Sequence, residues 1–438
     1  MKILFYTSAP RAFKSSLIGN LYEISQVFSV VLVSEKLDSN TEKFLNNKNL
    51  FPKLEEIIPI NQYLKKSKSI FLNLLLTNRE LCHSAKSIIK KYKPEIVIVE
   101  NDLTIFEMYL LRSAKKVNAK TFCFQSGIRF ETNKLASWVY LMGAKNNFPN
   151  FIPGFLRIFL EKIRRRISHF FYYWILPMMV FQKPFLGKSS VFLWKWVSGL
   201  RDADYSIVFS QRDRDISIES GVPAKKIYIL GHPINGVEAK KFFKVFYPQI
   251  NLKKHKKNKI VLIALPNKTS AVKDDLSVIS ADLVREGEIN IIKKIVEELA
   301  GWEIYVKPHP AISDLEYVTG RINELSRKIN ILDHDDVFDR YIGEADLIIG
   351  LSPSTVLYAA SLQFPEKPIL SLNFDKDFRG KLYKDFESIE YIETEEELIK
   401  FIGLIKNGTY QKMKVNNNLS DTKDILGSAE LLINILNK

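Results

Sequence analysis

Short apolar runs alternate with amphipathic stretches through most of the first half of the chain. The apolar runs have no regular polar alternation, so each predicts a strand that is buried on both faces. They span residues 2–8, 28–34, 55–60, 95–100 and 120–125. Between them, apolar residues recur at three- and four-residue spacing over 17–27, 80–92 and 104–117, which predicts helices. Alternating strands and helices of this kind predict a parallel sheet covered on both sides.

The alternation stops at about residue 130 and resumes at residue 204, and a second alternating set begins after residue 258. Strands are predicted at 204–210 and 226–231, then at 260–265, 303–306, 329–332, 347–350 and 368–372, with helices at 289–299, from about 354, and on to the end. The lysine-rich stretch between the two sets is typical of a linker. We therefore predict an α/β protein of two Rossmann-like domains facing a cleft: 1–240, with an aromatic and basic helical insertion at about 130–200; a linker at 241–258; and 259–438.

Composition narrows the class of protein. The 438 residues carry 64 Lys and Arg against 49 Asp and Glu, a net charge of +15 that favours polyanionic partners. Cys82 and Cys123 are the only cysteines, so we expect a reducing compartment rather than a disulfide framework. The N-terminal segment lacks the long apolar region of a signal peptide, and we expect a cytoplasmic protein.

The insertion combines cations with aromatic rings. Arg164, Arg165 and Arg166 precede an aromatic run at 169–181, which is shorter than the ~18–20 apolar residues that cross a bilayer. Arg and Lys beside Trp, Tyr and Phe are typical of a helix lying on an anionic membrane surface. We therefore expect a peripheral membrane protein; the alternative is a helical excursion packed on the protein itself. The chain has no nucleic-acid-binding motif, and we predict no nucleic-acid partner.

Two strand ends in the second half carry groups that can bind an anion. One strand ends on Lys307 and His309, with Pro310 after them. The other ends at a predicted helix start that offers the hydroxyls of Ser352, Ser354 and Thr355. We expect the two strands to be neighbours, so that these groups share one sheet edge, where open α/β sheets bind ligands. This predicts a phosphate site for a nucleotide-activated substrate; the alternatives are a turn histidine, a solvated lysine and a plain helix cap.

Two strand ends in the first half offer further polar groups. Glu100 and Asp102 follow one predicted strand, and a carboxylate there could take a proton from an attacking hydroxyl. Asp102 is the better placed and Glu100 the second choice, although Asp102 could instead cap the next helix. Gln125 and Arg129 follow the next strand and are candidates to hold an acidic acceptor, or form a plain turn.

Acidic pairs do not by themselves indicate a metal. Asp-x-Asp occurs at 333–335 and at 375–377, but in a chain so rich in charge such pairs arise by chance. No cluster of His and Cys supports a metal site, so we predict none. The loop at 333–336 is interpreted as a charged loop, with contact to a ribose or base as the alternative.

These motifs resemble those of the GT-B glycosyltransferases of bacterial surface polysaccharide synthesis. Lys307-Pro-His-Pro310 resembles the HP motif, and Ser352-Pro-Ser-Thr355 the serine-rich motif, of sialyl-, polysialyl- and Kdo-transferases that use CMP-sugars. Glu100-Asn-Asp102 is similar in place to their catalytic base, but differs from the sialyltransferase pattern. Related motifs occur in CDP-glycerol polymerases of teichoic acid and, more distantly, in UDP-GlcNAc 2-epimerases.

The resemblance implies an inverting transferase with an N-terminal acceptor domain and a C-terminal nucleotide-sugar domain. His309 and the Ser/Thr cluster would bind the CMP phosphate and make a metal cofactor unnecessary. The expected donor carries Kdo or a sialic-acid-like sugar, and the expected acceptor is a lipid-linked or surface glycan of capsule or lipopolysaccharide at the inner face of the membrane. Alternatives are a UDP- or GDP-hexose transferase, a CDP-polyol phosphotransferase, and a non-catalytic membrane adaptor.

Overall fold

The computed structural model divides the chain into two compact units. One comprises Met1–Ala239 with Asp424–Lys438, and the other Lys240–Lys423. The described residues are 1–7, 17–34, 37, 39–60, 70–100, 105–125, 202–231, 258–273, 278–310, 312–326, 329–351, 355–377, 380–386, 388–411 and 428–437, with single helical positions at 156, 159–161, 163, 164, 242 and 245. Most of the predicted insertion at about 130–200 therefore lies outside the described residues.

The first unit contains a seven-stranded sheet in which every pairing is parallel. The strand order is β3-β2-β1-β4-β5-β6-β7. In chain order its elements are β1 (Lys2–Thr7), α1 (Ile18–Val27), β2 (Ser29–Ser34), α2 (Ser39–Leu45), β3 (Leu54–Pro59), α3 (Ile70–Tyr92), β4 (Ile96–Val99), α4 (Ile105–Lys115), β5 (Lys120–Phe124), β6 (Tyr205–Val208), α5 (Gln211–Glu219), a 3₁₀ turn (Ala224–Lys226) and β7 (Ile227–Ile229).

The second unit contains a six-stranded parallel sheet of order β12-β11-β8-β13-β14-β15. Its elements are β8 (Ile260–Leu265), the hairpin β9 (Ala271–Val272) and β10 (Val278–Ile279), α6 (Ala281–Glu298), β11 (Glu303–Pro308), α7 (Leu315–Leu325), β12 (Ile329–Ile331), α8 (Asp339–Ile342), β13 (Leu347–Gly350), α9 (Thr355–Gln363), β14 (Ile369–Leu372), a 3₁₀ segment (Gly380–Asp385), β15 (Glu390–Ile392) and α10 (Glu395–Lys406).

Burial explains why the strands were predictable. All six residues of β8 and all four of β4 are buried, so neither strand shows polar alternation. In the second unit, Val261 and Ile263 of β8 pack in one apolar cluster with Ile292 of α6 and Ile322 of α7. Both sheets are thus covered parallel sheets of the Rossmann type, and the predicted fold class is confirmed.

Several elements differ from the predictions. Helix α3 begins at Ile70, ten residues before the predicted start, and helices α2, α7 and α8 were not predicted. Helix α6 begins at Ala281, eight residues before the predicted start, because the hydroxyl of Ser280 accepts from the Leu283 amide and caps it. Strand β15 lies at 390–392, where only helices were expected. The hairpin of β9 and β10 was not predicted.

The last helix, α11 (Ser428–Asn437), is a further difference. It belongs to the first unit and packs against α1, whereas the sequence analysis placed residues 259–438 together.

Candidate functional site

The candidate site in the second unit lies at the carboxyl end of β8. Strand order reverses there, because β11 flanks β8 on one side and β13 on the other. Ligands of open α/β sheets bind outside the carboxyl ends of the strands at such a reversal. The sequence analysis predicted that strands β11 and β13 are neighbours. That prediction is wrong, because β8 lies between them.

Backbone hydrogen bonds tie both strand tips to β8. The His309 amide donates to the Leu265 carbonyl (2.9 Å), and the Leu351 amide donates to the Ala264 carbonyl (3.2 Å). With neighbouring strands about 4.8 Å apart, the two tips lie roughly 10 Å from each other along one edge. The predicted shared edge is thus present, with one strand between its two halves.

His309 has a fixed backbone and an exposed side chain. It follows buried Pro308, and its carbonyl accepts from the Ile312 amide (3.0 Å), which closes a turn through Pro310. The geometry leaves His309 accessible to a ligand at the strand end, as a phosphate-binding residue requires.

Lys307 is engaged with the protein itself. Its side chain is buried, and the ammonium donates to the carbonyls of Pro308 (2.8 Å) and His334 (3.0 Å). These bonds hold the loop that follows β12 against the end of β11. A role for Lys307 in phosphate binding stays a prediction beside this structural one.

The serine-rich motif is described in part. Ser352 and Ser354 lie outside the described residues, and for Thr355 only the backbone is described, at the start of α9. Gly350 brings that helix close to β13, because a Cβ there would lie 2.5 Å from Leu357 Cδ1. A helix start at the tip of β13 is the arrangement in which unpaired amides can face an anion.

The charged loop after β12 holds an exposed acidic cluster. Asp333, His334 and Asp335 each offer a ligand atom within 4.8 Å of the others. In the described part of the chain this is the one group with metal-ligand chemistry, and its acids are exposed. Nearby, burial acts to raise the pKa of Asp336, but hydrogen bonds from Tyr341, the Val337 amide and Arg340 bring it below its usual value.

The guanidinium of Arg285, here called the arginine fork, was not identified from the sequence and lies beside the end of β8. Arg285 of α6 is 1% exposed and donates to Asp314 through Nε (3.1 Å) and Nη2 (3.3 Å). Nη2 also donates to the Pro266 carbonyl (3.0 Å), and Nη1 to Glu288. Burial raises the pKa of Glu288 to about 8, with Asp375 and Asp314 adding to the rise and Arg285 opposing it.

In the first unit, strand order reverses between β1 and β4. Thr7 ends β1 and Glu100 follows β4; the Thr7 hydroxyl donates to Glu100 Oε1 (2.6 Å), and both residues are buried. The Cys123 thiol donates to the Glu100 carbonyl (3.6 Å). Glu100 thus lies at the reversal, as a strand-end acid should, and Thr7 is a partner that sequence analysis did not identify.

The other first-unit candidates are described unequally. Gln125 is buried, and its side-chain oxygen accepts from the Phe209 amide (3.1 Å), which joins the ends of β5 and β6. This bond gives Gln125 a structural role; acceptor binding stays a prediction. Asp102 and Arg129 lie outside the described residues.

Similar proteins identify the fold of the whole chain. No protein-family model matches the sequence, and no curated protein matches it either. Among solved structures, the UDP-GlcNAc 2-epimerase of Neisseria meningitidis bound to UDP-GlcNAc has a TM-score of 0.56 at 12% identity, over 100% of both chains.

Two further solved structures agree. The UDP-N-acetylglucosamine 2-epimerase of Rickettsia bellii has a TM-score of 0.57 at 14% identity, over 100% of this chain and 95% of that one. A glycosyltransferase of Rickettsia africae has a TM-score of 0.53 at 14% identity, over 99% and 97%. Such identities show the fold alone, and that fold is GT-B.

Proposed function

We propose that the protein is an inverting glycosyltransferase that takes its sugar from a nucleotide donor and needs no metal ion. The observation that carries the proposal is the edge at the end of β8, where the backbone amides of exposed His309 and of Leu351 donate to the same strand. Helix α9 begins four residues after Leu351. An imidazole and a helix start suit a phosphate group.

The proposed reaction uses the two sheet edges for two tasks. A carboxylate of the first unit, Asp102 or Glu100, takes the proton of the acceptor hydroxyl as its oxygen attacks the anomeric carbon. The bond from that carbon to the donor phosphate breaks, and its electron pair leaves with the nucleotide. His309 donates a hydrogen bond to the departing phosphate, which stabilises the charge that develops there. Attack opposite the leaving group inverts the anomeric centre.

For the donor we propose a CMP-sugar with a Kdo or sialic-acid-like residue. Support comes from Lys307-Pro-His-Pro310 and Ser352-Pro-Ser-Thr355, which are similar to motifs of CMP-sugar transferases. The second candidate is a UDP-sugar enzyme, either a transferase or an epimerase. It is favoured by the shared fold with UDP-GlcNAc 2-epimerases, one of them bound to UDP-GlcNAc.

A thermal-shift panel with CMP, CDP, UDP and GDP separates these candidates. A nucleotide at free concentration c that binds the folded state stabilises it by RT ln(1 + c/Kd), so the melting temperature rises more for a nucleotide that binds more tightly. We expect the largest shift with CMP. A shift with UDP alone would replace the first candidate with the second; GDP alone would favour a GDP-hexose transferase, and CDP alone a polyol-phosphate transferase. No shift at all would favour the non-catalytic adaptor.

Metal independence has a direct test. Transfer should continue at its full rate in EDTA, because His309 and the helix start would take the place of a cation at the phosphate. The exposed cluster of Asp333, His334 and Asp335 provides the control. The proposal would be contradicted if EDTA abolished activity and Mg²⁺ restored it in wild type but not in an Asp333→Asn, Asp335→Asn variant.

We further propose that the acceptor is a lipid-linked or surface glycan and that the protein works at the inner face of the membrane. No helix in the described part of the chain is long and apolar enough to span a bilayer. In the helical positions of the insertion, Leu156, Phe159 and Ile163 are 37%, 57% and 37% exposed. Their spacing of three and seven residues puts them on one helix face, and Arg164 lies next to it.

Flotation with vesicles that contain anionic phosphatidylglycerol tests the membrane contact. We expect wild type to float, and a Leu156→Ser, Phe159→Ser, Ile163→Ser variant or a deletion of 157–196 to stay in the dense fraction. A matched control replaces Val117 and Leu283, which are 47% and 66% exposed elsewhere, by Ser. If the triple variant floated like wild type, the membrane proposal would be wrong.

A further inference from the structure

A closed ring of hydrogen bonds holds the backbone of His309 in place. The Leu265 carbonyl accepts a hydrogen bond from the His309 amide (2.9 Å). The chain then runs through the turn at His309 and Ile312 to Asp314, whose carboxylate accepts from Arg285 at 3.1 and 3.3 Å. Arg285 returns the ring to its start, because it also donates to the carbonyl of Pro266 (3.0 Å), the residue next to Leu265.

The links that side chains make in this ring are the ion pair of Arg285 with Asp314 and the bond from Arg285 to the Pro266 carbonyl. The guanidinium bonds two loops that belong to different strands: the one after β8 and the one after β11. Arg285 is 1% exposed, and its fork is directed at Asp314, Pro266 and Glu288. A side chain so enclosed does not reach a ligand, so any effect on binding must pass through the loops.

We infer that Arg285 is a positioning residue that sets the geometry of His309 at the nucleotide site. This inference rests on the proposed nucleotide site at the second sheet. The bidentate contact of Arg285 with Asp314 fixes both the distance and the angle between the two side chains, which a single hydrogen bond does not. Loss of the fork would let the turn between His309 and Asp314 shift relative to the end of β8, and a shift of about 1 Å is enough to weaken a phosphate contact.

The test is a double-mutant cycle on nucleotide affinity. Arg285→Lys keeps the positive charge but cannot bond Pro266 and both oxygens of Asp314 together. We expect His309→Ala to weaken CMP binding about 10-fold and Arg285→Lys about 5-fold, by calorimetry. If Arg285 acts through His309, the double variant should be about as weak as His309→Ala alone, not the product of the two effects.

The matched control is Arg321→Lys. Arg321 of α7 bonds Glu286 of α6 at 3.0 Å and so joins the same two helices, but it does so at the surface. We expect this variant to bind CMP like wild type. If Arg285→Lys does not fold, Asp314→Asn takes its place in the cycle, because it removes the ion pair and keeps one acceptor oxygen.

Hydrogen exchange of the His309 amide gives a readout without any nucleotide. That amide should exchange about 10-fold faster in Arg285→Lys than in wild type or Arg321→Lys. Multiplicative effects in the cycle, or unchanged exchange, would overturn the positioning role. If wild type bound neither CMP nor UDP, the proposed function would fail, whereas the exchange result would still decide whether Arg285 holds the turn.

Discussion

The two sheets repeat one strand order but carry opposite chemistry where that order reverses. In the first unit the reversal holds a buried acid, Glu100, bonded to the Thr7 hydroxyl. In the second it holds an exposed imidazole, His309, with the guanidinium of Arg285 behind its loop. The same architecture therefore carries a buried carboxyl group at one sheet edge and an exposed imidazole at the other. The scaffold sets where a site can be; a few strand-end residues decide what it does.

The largest effect is expected at the first-unit acids. Asp102→Asn should lower the rate of transfer about 10³-fold, because an amide cannot accept the proton of the attacking hydroxyl. Glu100→Gln, measured in the same way, is the comparison. Steady-state assays of both variants identify the base: a loss confined to Glu100→Gln would give the role to the residue that Thr7 contacts. Wild-type rates in both variants would remove a catalytic carboxylate from this edge.

Next in size is the loss of the second-unit imidazole. His309→Ala should reduce kcat about 10²-fold, because a departing phosphate would lose its hydrogen-bond donor. Nucleotide affinity should fall less than kcat, since charge on the phosphate is greatest in the transition state. His334→Ala, in the exposed loop after β12, is the control. Equal activity of His309→Ala and wild type would show that His309 takes no part in the proposed reaction.

A smaller effect concerns pH and the acid behind the arginine fork. The pKa of Glu288 is raised from 4.5 to about 8, so between these values the folded state keeps a proton that the unfolded state has lost. The contribution of this protonated carboxyl group to the free energy of unfolding is fully present below pH 4.5. It is lost as the pH rises to 8. Glu288→Gln should therefore gain about 2 kcal/mol of stability over wild type between pH 6 and pH 8.

Denaturant melts at several pH values measure this difference. Exposed Glu297 lies on the same helix, and Glu297→Gln should follow the pH profile of wild type. Parallel profiles for wild type and Glu288→Gln would show that Glu288 is ionised throughout, and that the second edge carries more negative charge than we infer.

The smallest effect is expected from a single methyl group at the second edge. Gly350→Ala would place a Cβ 2.5 Å from buried Leu357 and push α9 away from β13, at a cost of about 1.5 kcal/mol. Gly320 of α7 has open space around its missing Cβ, so Gly320→Ala should stabilise the protein by about 0.5–1 kcal/mol. Thermal melts of the two variants should shift in opposite directions; a stabilised Gly350→Ala would show that α9 does not depend on close packing there.

Buried strands explain how much of the fold was predictable. Runs such as those of β4 and β8 have no polar face, and that pattern has few other interpretations. Three-residue β15 was missed because its Glu390-Tyr-Ile sequence is too short to show a period. The order of strands was also beyond the sequence, since nothing in β11 or β13 shows that β8 runs between them.

The site was predictable only where its signal is local. His309 follows a buried strand between two prolines, and that context is visible in the sequence itself. Arg285 and Asp314 are 29 positions apart and each has the appearance of a helix-surface charge. Lys307 lies at the end of a strand in the sequence, and nothing there shows that its buried ammonium donates to two backbone carbonyls. Contacts of that range depend on tertiary packing, which periodicity does not encode.

Helix α11 has a consequence for the order in which the chain can fold. Ile435 and Leu436 are buried in the first unit, although they are synthesised after all of Lys240–Lys423. The first unit therefore acquires the helix that packs against α1 only after the whole of the second unit has been synthesised.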